Sequence, residues 1–357
     1  MADHPYRSLP DSAYWRRAVA AKGAAVDPVV GDFPLISRSD KVATAGSCFA
    51  QHVARHLARS GFNYLVTEQA HPILDTEVAR AAGYGLYTAR YGNIYTTLQL
   101  SQLFDRAYGR FEPAEDVWVG PDGKSVVDPF RPTIQPGGFA SEAEMLADRA
   151  QHLAHVREAF GTLDLMVFTL GLTEGWVSAI DGAAFPLCPG VAGGSFDPAR
   201  HLFRNLRTAD VRGQIGAFVE KLRAVNPKAR LILTVSPVPL AASASGNHVL
   251  PATIYSKSAL RAAAQEAAED LDGVFYFPSY EIITGPQARG RFFAEDLREV
   301  TEDGVEHVMR VFLRHAAGME APESDHSAAP DDDRFSADVA TWVETMCDEA
   351  MLDGEHA

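Results

Sequence analysis

Two six-residue runs of mainly apolar, β-forming residues most constrain how this chain can fold. The first is LMVFTL at 165–170, which ends at Gly171, and the second is RLILTV at 230–235. Between them, 211–225 carries apolar residues at helical spacing, and an Asn-Pro pair ends that helix. A strand that is apolar on both faces must be covered on both faces, as in parallel sheets. These segments therefore predict a βαβ unit at the centre of a parallel sheet.

The same alternation of strand and helix patterns runs through most of the chain. Further β-rich runs predict strands at 41–45, 62–66 and 274–277. Apolar residues at helical spacing predict further helices at 49–57, 141–160, 255–271 and 302–315. The repeated order of strand, helix and strand predicts an α/β domain in which helices cover a mainly parallel sheet.

The charge of the chain argues against two classes of partner. Its 357 residues include 47 Asp and Glu but 32 Lys and Arg, which gives a formal net charge of −15. Nucleic acids and anionic lipids require a basic surface, so we expect neither as a partner. No apolar run reaches the ~18 residues of a membrane-spanning helix, and the N-terminus lacks a secretory pattern. We therefore expect a cytoplasmic protein with no insertion into a membrane.

The sequence carries no pattern typical of a metal or cofactor site. The three cysteines, Cys48, Cys188 and Cys347, are far apart and odd in number, so at least one is a free thiol. HExxH, Walker A and GxGxxG signatures are absent, and the one run of carboxylates is at 331–333. We expect no metal and no cofactor.

The composition predicts one domain followed by a tail. Residues 1–315 are expected to form the domain, with its core starting at about residue 40. Residues 316–335 are rich in Ala, Pro, Ser and acidic residues, which is typical of a linker or a surface excursion. Residues 336–357 hold a predicted C-terminal amphipathic helix. Two long loops rich in Gly and Pro, at 119–138 and 182–197, are expected to build or cover a site.

The segment GSCFA at 46–50 is the strongest candidate for chemistry. Ligands of open parallel sheets bind at the carboxyl ends of the strands. The loops at that edge begin at Gly46, Gly171, Ser236 and Pro278. A helix follows Gly46, so Ser47 and Cys48 fall at a helix N-terminus, which stabilises anions and lowers a thiol pKa. Cys48 can then attack a carbonyl, although a plain buried cysteine is an equally good interpretation of the spacing.

This segment resembles the name-giving motif of the GSCFA-domain proteins, a branch similar to the SGNH, or GDSL, hydrolases. The chain resembles bacterial members of that family from residue 40 to about 315. Further matching motifs are ARYGNIY at 89–95, FTLGLTE at 168–174, TVSPVP at 234–239 and YSKS at 255–258. The resemblance implies a three-layer α/β/α sandwich, SGNH-hydrolase or flavodoxin-like, with a mainly parallel sheet of about five strands.

The first two superfamily blocks can be placed on this chain one residue at a time. The Gly-Asp-Ser block falls on Gly46, Ser47 and Cys48, which implies Cys48 as nucleophile and Ser47 as the alternative. The block that supplies an oxyanion-hole glycine corresponds to Gly92, with Asn93 beside it to donate an amide. A plain turn explains Gly92 and Asn93 equally well.

The third block, Gly-x-Asn-Asp, falls on 171–174. Gly171 keeps the glycine, and Thr173 supplies a hydroxyl where the superfamily has an amide donor. Glu174 either lines the cleft or caps the next segment. The resemblance therefore implies a weaker oxyanion hole than in the superfamily.

The superfamily's Asp-x-x-His block falls on residues that include no histidine, namely Asp296 to Glu299. Asp296 therefore has no imidazole to orient, and Glu299 is itself a candidate acid or base. His248 is the favoured replacement base, because its loop leaves from the carboxyl edge after the 230–235 strand. The remaining candidates are His52, His201 and Lys257, the last as a base or an anion anchor.

These residues predict an esterase or an O-acyltransferase that forms an acyl-Cys48 intermediate. The expected partner is a small-molecule or carbohydrate ester. The alternative is a binding module that keeps the cleft without catalysis, and the missing histidine favours that alternative.

Overall fold

The computed structural model describes residues 4–31, 33–318 and 351–352. The strands in these ranges are β1 (Val42–Ala45), β2 (Trp118–Val119), β3 (Val126–Val127), β4 (Leu165–Leu170), β5 (Glu174–Ser178), β6 (Ala184–Phe185), β7 (His201–Asn205), β8 (Arg230–Val235) and β9 (Val274–Tyr276). The α-helices are α1 (Cys48–Arg59), α2 (Thr76–Ala81), α3 (Thr97–Ala107), α4 (Glu142–Thr162), α5 (Thr208–Val225), α6 (Val249–Asp270), α7 (Ser279–Thr284) and α8 (Glu302–Ala317). Short 3₁₀ and π helices precede β1.

The central sheet is parallel and has the strand order β1-β4-β8-β9. The predicted strands at 165–170 and 230–235 are present with those bounds. The predicted strand at 62–66 is reduced to one parallel bridge, between Tyr64 and Val42. Pairing stops there because the backbone N–H of Thr67 donates to the carbonyl of Thr88 instead. Within the described ranges the sheet therefore has four strands, where the resemblance implied about five.

Helices cover both faces of this sheet. Alternate residues of β4 point to opposite faces, so Phe168 packs with α3, α4, α5 and α6, whereas Val167 packs with α1, α7 and α8. Every residue of β4 is at most 2 % exposed. The three-layer α/β/α sandwich is thus confirmed.

A smaller antiparallel sheet, in the order β6-β5-β7, is inserted between β4 and α5. Its strand β5 begins four residues after β4 ends, which places the insertion at the carboxyl edge of the central sheet. Trp176 of β5 packs edge-on against Phe196 and Phe203. Part of the long 182–197 loop thus forms strand β6, and β3 occupies part of the 119–138 loop.

A buried ion network holds the segment that leads to the candidate site. Arg90 is 2 % exposed, and its guanidinium donates to Asp148 at 2.8 Å and to the carbonyl of Ala82 at 2.7 Å. Glu68 accepts from the backbone N–H of Arg90 at 2.7 Å. Arg131 also donates to Asp148, at 2.8 Å. These contacts satisfy a buried cation and fix the ARYGNIY segment against α4.

Asp128 is a second centre of this network and is fully buried. Its carboxylate accepts from Arg131 Nε at 3.0 Å and from Arg149 Nη2 at 3.0 Å. The backbone N–H of Phe130 donates to it at 3.1 Å. One carboxylate therefore compensates two buried guanidinium groups.

Acid is expected to destabilise the fold through Glu68 and His152. Burial opposes ionisation of Glu68, but the hydrogen bonds from His152 and Arg90 and the charge of Arg131 lower its pKa to about 2. Burial and the charge of Arg131 lower the pKa of His152 to about 4. Both groups bind protons more weakly in the folded state than in the unfolded state. The stability therefore falls as the pH falls from 6.5 to about 4 because of His152, and from 4.5 to about 2 because of Glu68.

The check is the urea midpoint measured at pH 7, 5, 4 and 3. We expect it to fall at each step, and Glu68→Gln should flatten the part of the curve below about pH 4.5. A midpoint that stays constant or rises towards pH 4 would contradict the assignment.

The C-terminal predictions fall mostly outside the described residues. Helix α8 continues to Ala317, and Gly318 ends it with a left-handed φ of 61°. The predicted linker at 316–335 and helix at 336–357 lie outside the described residues, apart from 316–318 and 351–352. None of the helices described has the length and apolar character needed to cross a membrane.

Candidate functional site

The carboxyl edge of the central sheet is where the candidate residues gather. Strands β1, β4 and β8 are parallel and end at Ala45, Leu170 and Val235, so the loops that follow them begin side by side. Gly46 follows β1 with a φ of 145°, and a Cβ there would lie 2.7 Å from the carbonyl oxygen of Thr169. Only glycine fits this turn, because both the backbone angle and the close approach of β4 exclude a side chain.

Helix α1 begins directly after this turn. Ser47 is the N-cap residue and Cys48 is the first helical residue, so the predicted order of strand, turn and helix is present. Ser47 is 5 % exposed, and its side chain makes no capping hydrogen bond. The N–H groups of the first turn thus lack the usual serine cap, which leaves them suited to an anion.

Segment 94–95 joins the loops after β1 and β4. The backbone N–H of Ile94 donates to the carbonyl of Gly46 at 2.8 Å. The carbonyl of Tyr95 accepts from Gly171 N at 3.2 Å and from Leu172 N at 3.1 Å. A Cβ on Gly171 would lie 3.0 Å from that carbonyl, so the glycine permits the close contact.

Asn93 is buried and contacts the first turn of α1. Its Oδ1 accepts from Gln51 Nε2 at 3.2 Å, and Gln51 Nε2 also donates to the Tyr87 hydroxyl at 3.1 Å. This pattern makes the Nδ2 group the donor of Asn93. Gly92 has a left-handed φ of 70°, as expected of a turn. The structure therefore combines a turn at Gly92 with an Asn93 side chain held at α1.

The 171–174 loop is tied to α6 and to the inserted sheet. Thr173 N donates to Ser256 Oγ at 2.9 Å, and Thr173 Oγ1 donates to Asn205 Oδ1 at 2.7 Å. The Thr173 hydroxyl proton is therefore committed to Asn205. Donation to an oxyanion, as the resemblance implied, would require this bond to break.

Lys257 is a buried cation beside the same loop. It is 1 % exposed, and its Nζ donates to the carbonyl of Gly171 at 2.6 Å. An ammonium group is costly to bury unless it is hydrogen bonded, so this contact holds the Gly171 loop against α6. The residue is therefore buried rather than on the surface, and its role as a base or an anion anchor stays a prediction.

Glu174 connects the inserted sheet to the loop after β8. Its carboxylate accepts from Ser243 Oγ at 2.8 Å and from Ala244 N at 3.2 Å. It lines a cavity of about 310 Å³ together with Tyr95, Leu172, Leu240 and other mainly apolar residues. That volume is at the lower end of the range for small-molecule sites.

Cys188 also lines this cavity and is the one free thiol described. Burial raises its pKa, so it is a poorer nucleophile than an exposed cysteine. It offers an internal reference for thiol reactivity.

His248, Asp296 and Glu299 are exposed, and the first two accept hydrogen bonds from nearby backbone N–H groups. His248 is the N-cap of α6, and its Nδ1 accepts from Leu250 N at 3.1 Å. Asp296 accepts from the backbone N–H groups of Arg298 and Glu299, both at 3.0 Å. Each thus has a local structural role, while Glu299 is exposed just ahead of α8.

His52 and His201 have fixed tautomers. Arg55 donates to His52 Nδ1 at 2.8 Å, so the ring proton of neutral His52 is on Nε2. Burial and the Arg55 charge lower its pKa to about 4, which keeps it neutral at pH 7. His201 Nδ1 accepts from Asp197 N, so its Nε2 donates to Glu115. Neither histidine presents a lone pair for a base in this arrangement.

Sequence reasoning missed Gln51 and Asn205, which position the predicted residues. Gln51 lies one turn after Cys48, a spacing that could have marked it, whereas Asn205 lies 32 residues from Thr173 and gave no signal. Within the described ranges, no group of three His, Cys, Asp or Glu side chains is arranged to hold a metal ion.

Comparison with known proteins identifies the family of this chain. No curated protein matches the sequence. The model of the GSCFA family matches residues 41–312, a region that spans all four strands of the central sheet and the loops at its carboxyl edge. The match covers well over half of the chain, and the chain belongs to the GSCFA family.

Proposed function

We propose that this chain is an acyl-transfer enzyme that hydrolyses or transfers an ester-linked acyl group of a carbohydrate or small metabolite, with Cys48 as nucleophile. The observation that carries the proposal is the turn at Gly46, which ends an edge strand against Thr169 and starts α1 at Cys48. The same strand–turn–helix geometry presents nucleophiles in other α/β hydrolases.

The chemistry follows from the position of Cys48 at the helix N-terminus. A thiolate attacks the ester carbonyl carbon, and the carbonyl electron pair moves onto oxygen. The first-turn N–H groups and the Asn93 amide would donate to that oxyanion. Collapse breaks the C–O bond, and the leaving alkoxide takes a proton from solvent water. Water, or an acceptor hydroxyl, then attacks the thioester carbonyl carbon and loses its proton to solvent, and the C–S bond breaks to restore the thiolate.

The residues around the GSCFA loop hold its neighbours in position, and none of them acts as a separate general base. Lys257 holds the Gly171 loop, and Gln51 holds Asn93 against α1. A pre-ionised thiolate reduces the need for a general base, which fits the lack of a histidine at 296–299. The Ser47 hydroxyl is the alternative nucleophile.

The second candidate function is ligand binding without catalysis on the same scaffold. One observation favours it: Asp296 accepts hydrogen bonds from its own loop rather than from an imidazole. A binding protein would keep the cleft and would not need a reactive thiol.

Alkylation of the native protein by iodoacetamide distinguishes the two functions. We expect Cys48 to react with an apparent pKa well below the ~8.5 of an ordinary thiol, because the helix N-terminus favours the thiolate. Peptide mass spectrometry across a pH series measures this, with Cys188 as the slow internal reference. Hydrolysis of p-nitrophenyl acetate should fall at least ~10³-fold in Cys48→Ala and stay unchanged in the matched Cys347→Ala, since Cys347 lies outside the family region 41–312.

Protection of Cys48 while the other cysteines react would contradict the thiol mechanism. A Ser47→Ala variant that then loses esterase activity would identify the serine as nucleophile. Absence of esterase activity in the wild-type protein, together with an unreactive Cys48, would leave the binding function as the better account.

A further inference from the structure

A second cavity, of about 680 Å³, lies between α1, α2 and the segment that follows Tyr64. This volume is within the 300–1,000 Å³ typical of sites for metabolite-sized ligands. Its apolar walls are formed by small and aliphatic side chains, among them Ala54, Ala58, Val66, Leu74 and Leu86. Cavities with such walls bury the apolar body of a ligand.

The charged side chains of this cavity are all cationic. Arg55, Arg59 and Arg80 line it together with His71, and none of the described lining residues is acidic. The contrast matters because the chain as a whole has a formal net charge of −15. A local concentration of positive charge on an acidic protein attracts anions to the cavity.

Two of these arginines repel each other. Arg55 and Arg59 are four residues apart on α1 and line the same cavity, and like charges at that spacing destabilise a helix. Burial lowers the pKa of Arg55 most, the charge of the nearby Glu302 raises it, and the charge of Arg59 lowers it again. Arg59 is exposed. An anion placed between them would relieve this repulsion.

We infer that this cavity binds a small organic anion with an apolar body. Its carboxylate or phosphate would be held by Arg55, Arg59 and Arg80, in the paired hydrogen-bond geometry that guanidinium groups offer to both anions. The apolar body would lie against the alanine and leucine walls. Gln51 lines the cavity and also holds Asn93, so the cavity starts one helical turn from the GSCFA loop.

The first test is calorimetric titration of the full chain with sodium octanoate and with octyl phosphate. 1-Octanol is the uncharged control of the same chain length. We expect one or both anions to bind in a 1:1 ratio at least ten-fold more tightly than octanol, and more weakly as NaCl rises from 50 to 500 mM. The stronger anion identifies the head group. Equal binding of octanol, or no anion binding, would overturn the inference.

Variants place the binding in this cavity. The double variant R59Q/R80Q is expected to lose at least ten-fold in anion affinity, while Arg16→Gln, an exposed arginine outside the cavity, keeps the wild-type value. Ala58→Trp should abolish binding by filling the space, and thermal unfolding confirms that each variant is folded. Unchanged binding in R59Q/R80Q would refute the site. Cys48→Ala should bind normally, so failure of the acyl chemistry would leave this result intact.

Discussion

Replacing Gly46 with alanine is expected to cost on the order of 3 kcal/mol or more of unfolding free energy. The added Cβ would lie 2.7 Å from the Thr169 carbonyl oxygen and 2.8 Å from its Cβ, at a backbone φ of 145°. Since β4 is fully buried, it cannot move aside without disturbing both helix layers. Urea unfolding measures the loss, and alkylation of Cys48 should slow as α1 shifts.

The matched control is Gly213→Ala in α5. A Cβ at Gly213 meets no atom within 4 Å, so this change should be neutral or stabilise the helix by up to ~1 kcal/mol. If Gly46→Ala unfolds at the wild-type urea concentration, the turn is not the constraint described above.

Removal of the Asp128 carboxylate is expected to destabilise the fold by ~3–5 kcal/mol. In Asp128→Ala, the guanidinium groups of Arg131 and Arg149 lose their shared, fully buried partner. Arg131 keeps its contacts with Asp148 and the Arg90 carbonyl, and Arg149 keeps its contacts with the more exposed Asp116 and with Met145 Sδ. An uncompensated buried charge costs more than the pair contributed. The measurement is the urea midpoint at pH 7 with the slope held common to both proteins.

Asp270→Ala is the corresponding surface control. Asp270 pairs with Arg212 at 2.9 Å but is 63 % exposed, so its removal should cost no more than ~1 kcal/mol. A loss in Asp128→Ala as small as that in Asp270→Ala would mean that water reaches the network.

The central strands were predictable because their sequence leaves little choice. The runs at 165–170 and 230–235 are apolar on both faces. Glycine ends the first run and an Asn-Pro helix stop precedes the second, so the predicted bounds of both strands agree with the observed bounds. Helix α6 begins at Val249, six residues before its predicted start. Pro251 obscured that start, because proline is tolerated in the first helical turn, where no N–H is needed.

The candidate site was predictable only in its local part. The turn at Gly46 follows from neighbouring residues, whereas the contacts of Thr173 with Asn205 and Ser256 join segments 32 and 83 residues apart. The ion network around Arg90 gave no sequence signal, because its charges are scattered and look like ordinary surface residues. Only the fold shows that Lys257 is buried.

The parallel pairing of β1 with β4 has a consequence for synthesis of the chain. The contact of the Lys41 N–H with the Asp164 carboxylate, where the two strands start, spans 123 residues, and β4 must leave the ribosome before β1 has its partner. At about 5–20 residues per second, β1 waits roughly 6–25 s in a nascent chain that cannot yet close the sheet. The GSCFA loop therefore completes its contacts late in synthesis. A chain stalled before residue 171 would carry Cys48 without the folded β4 and the Gly171 loop that lie beside the Gly46 turn.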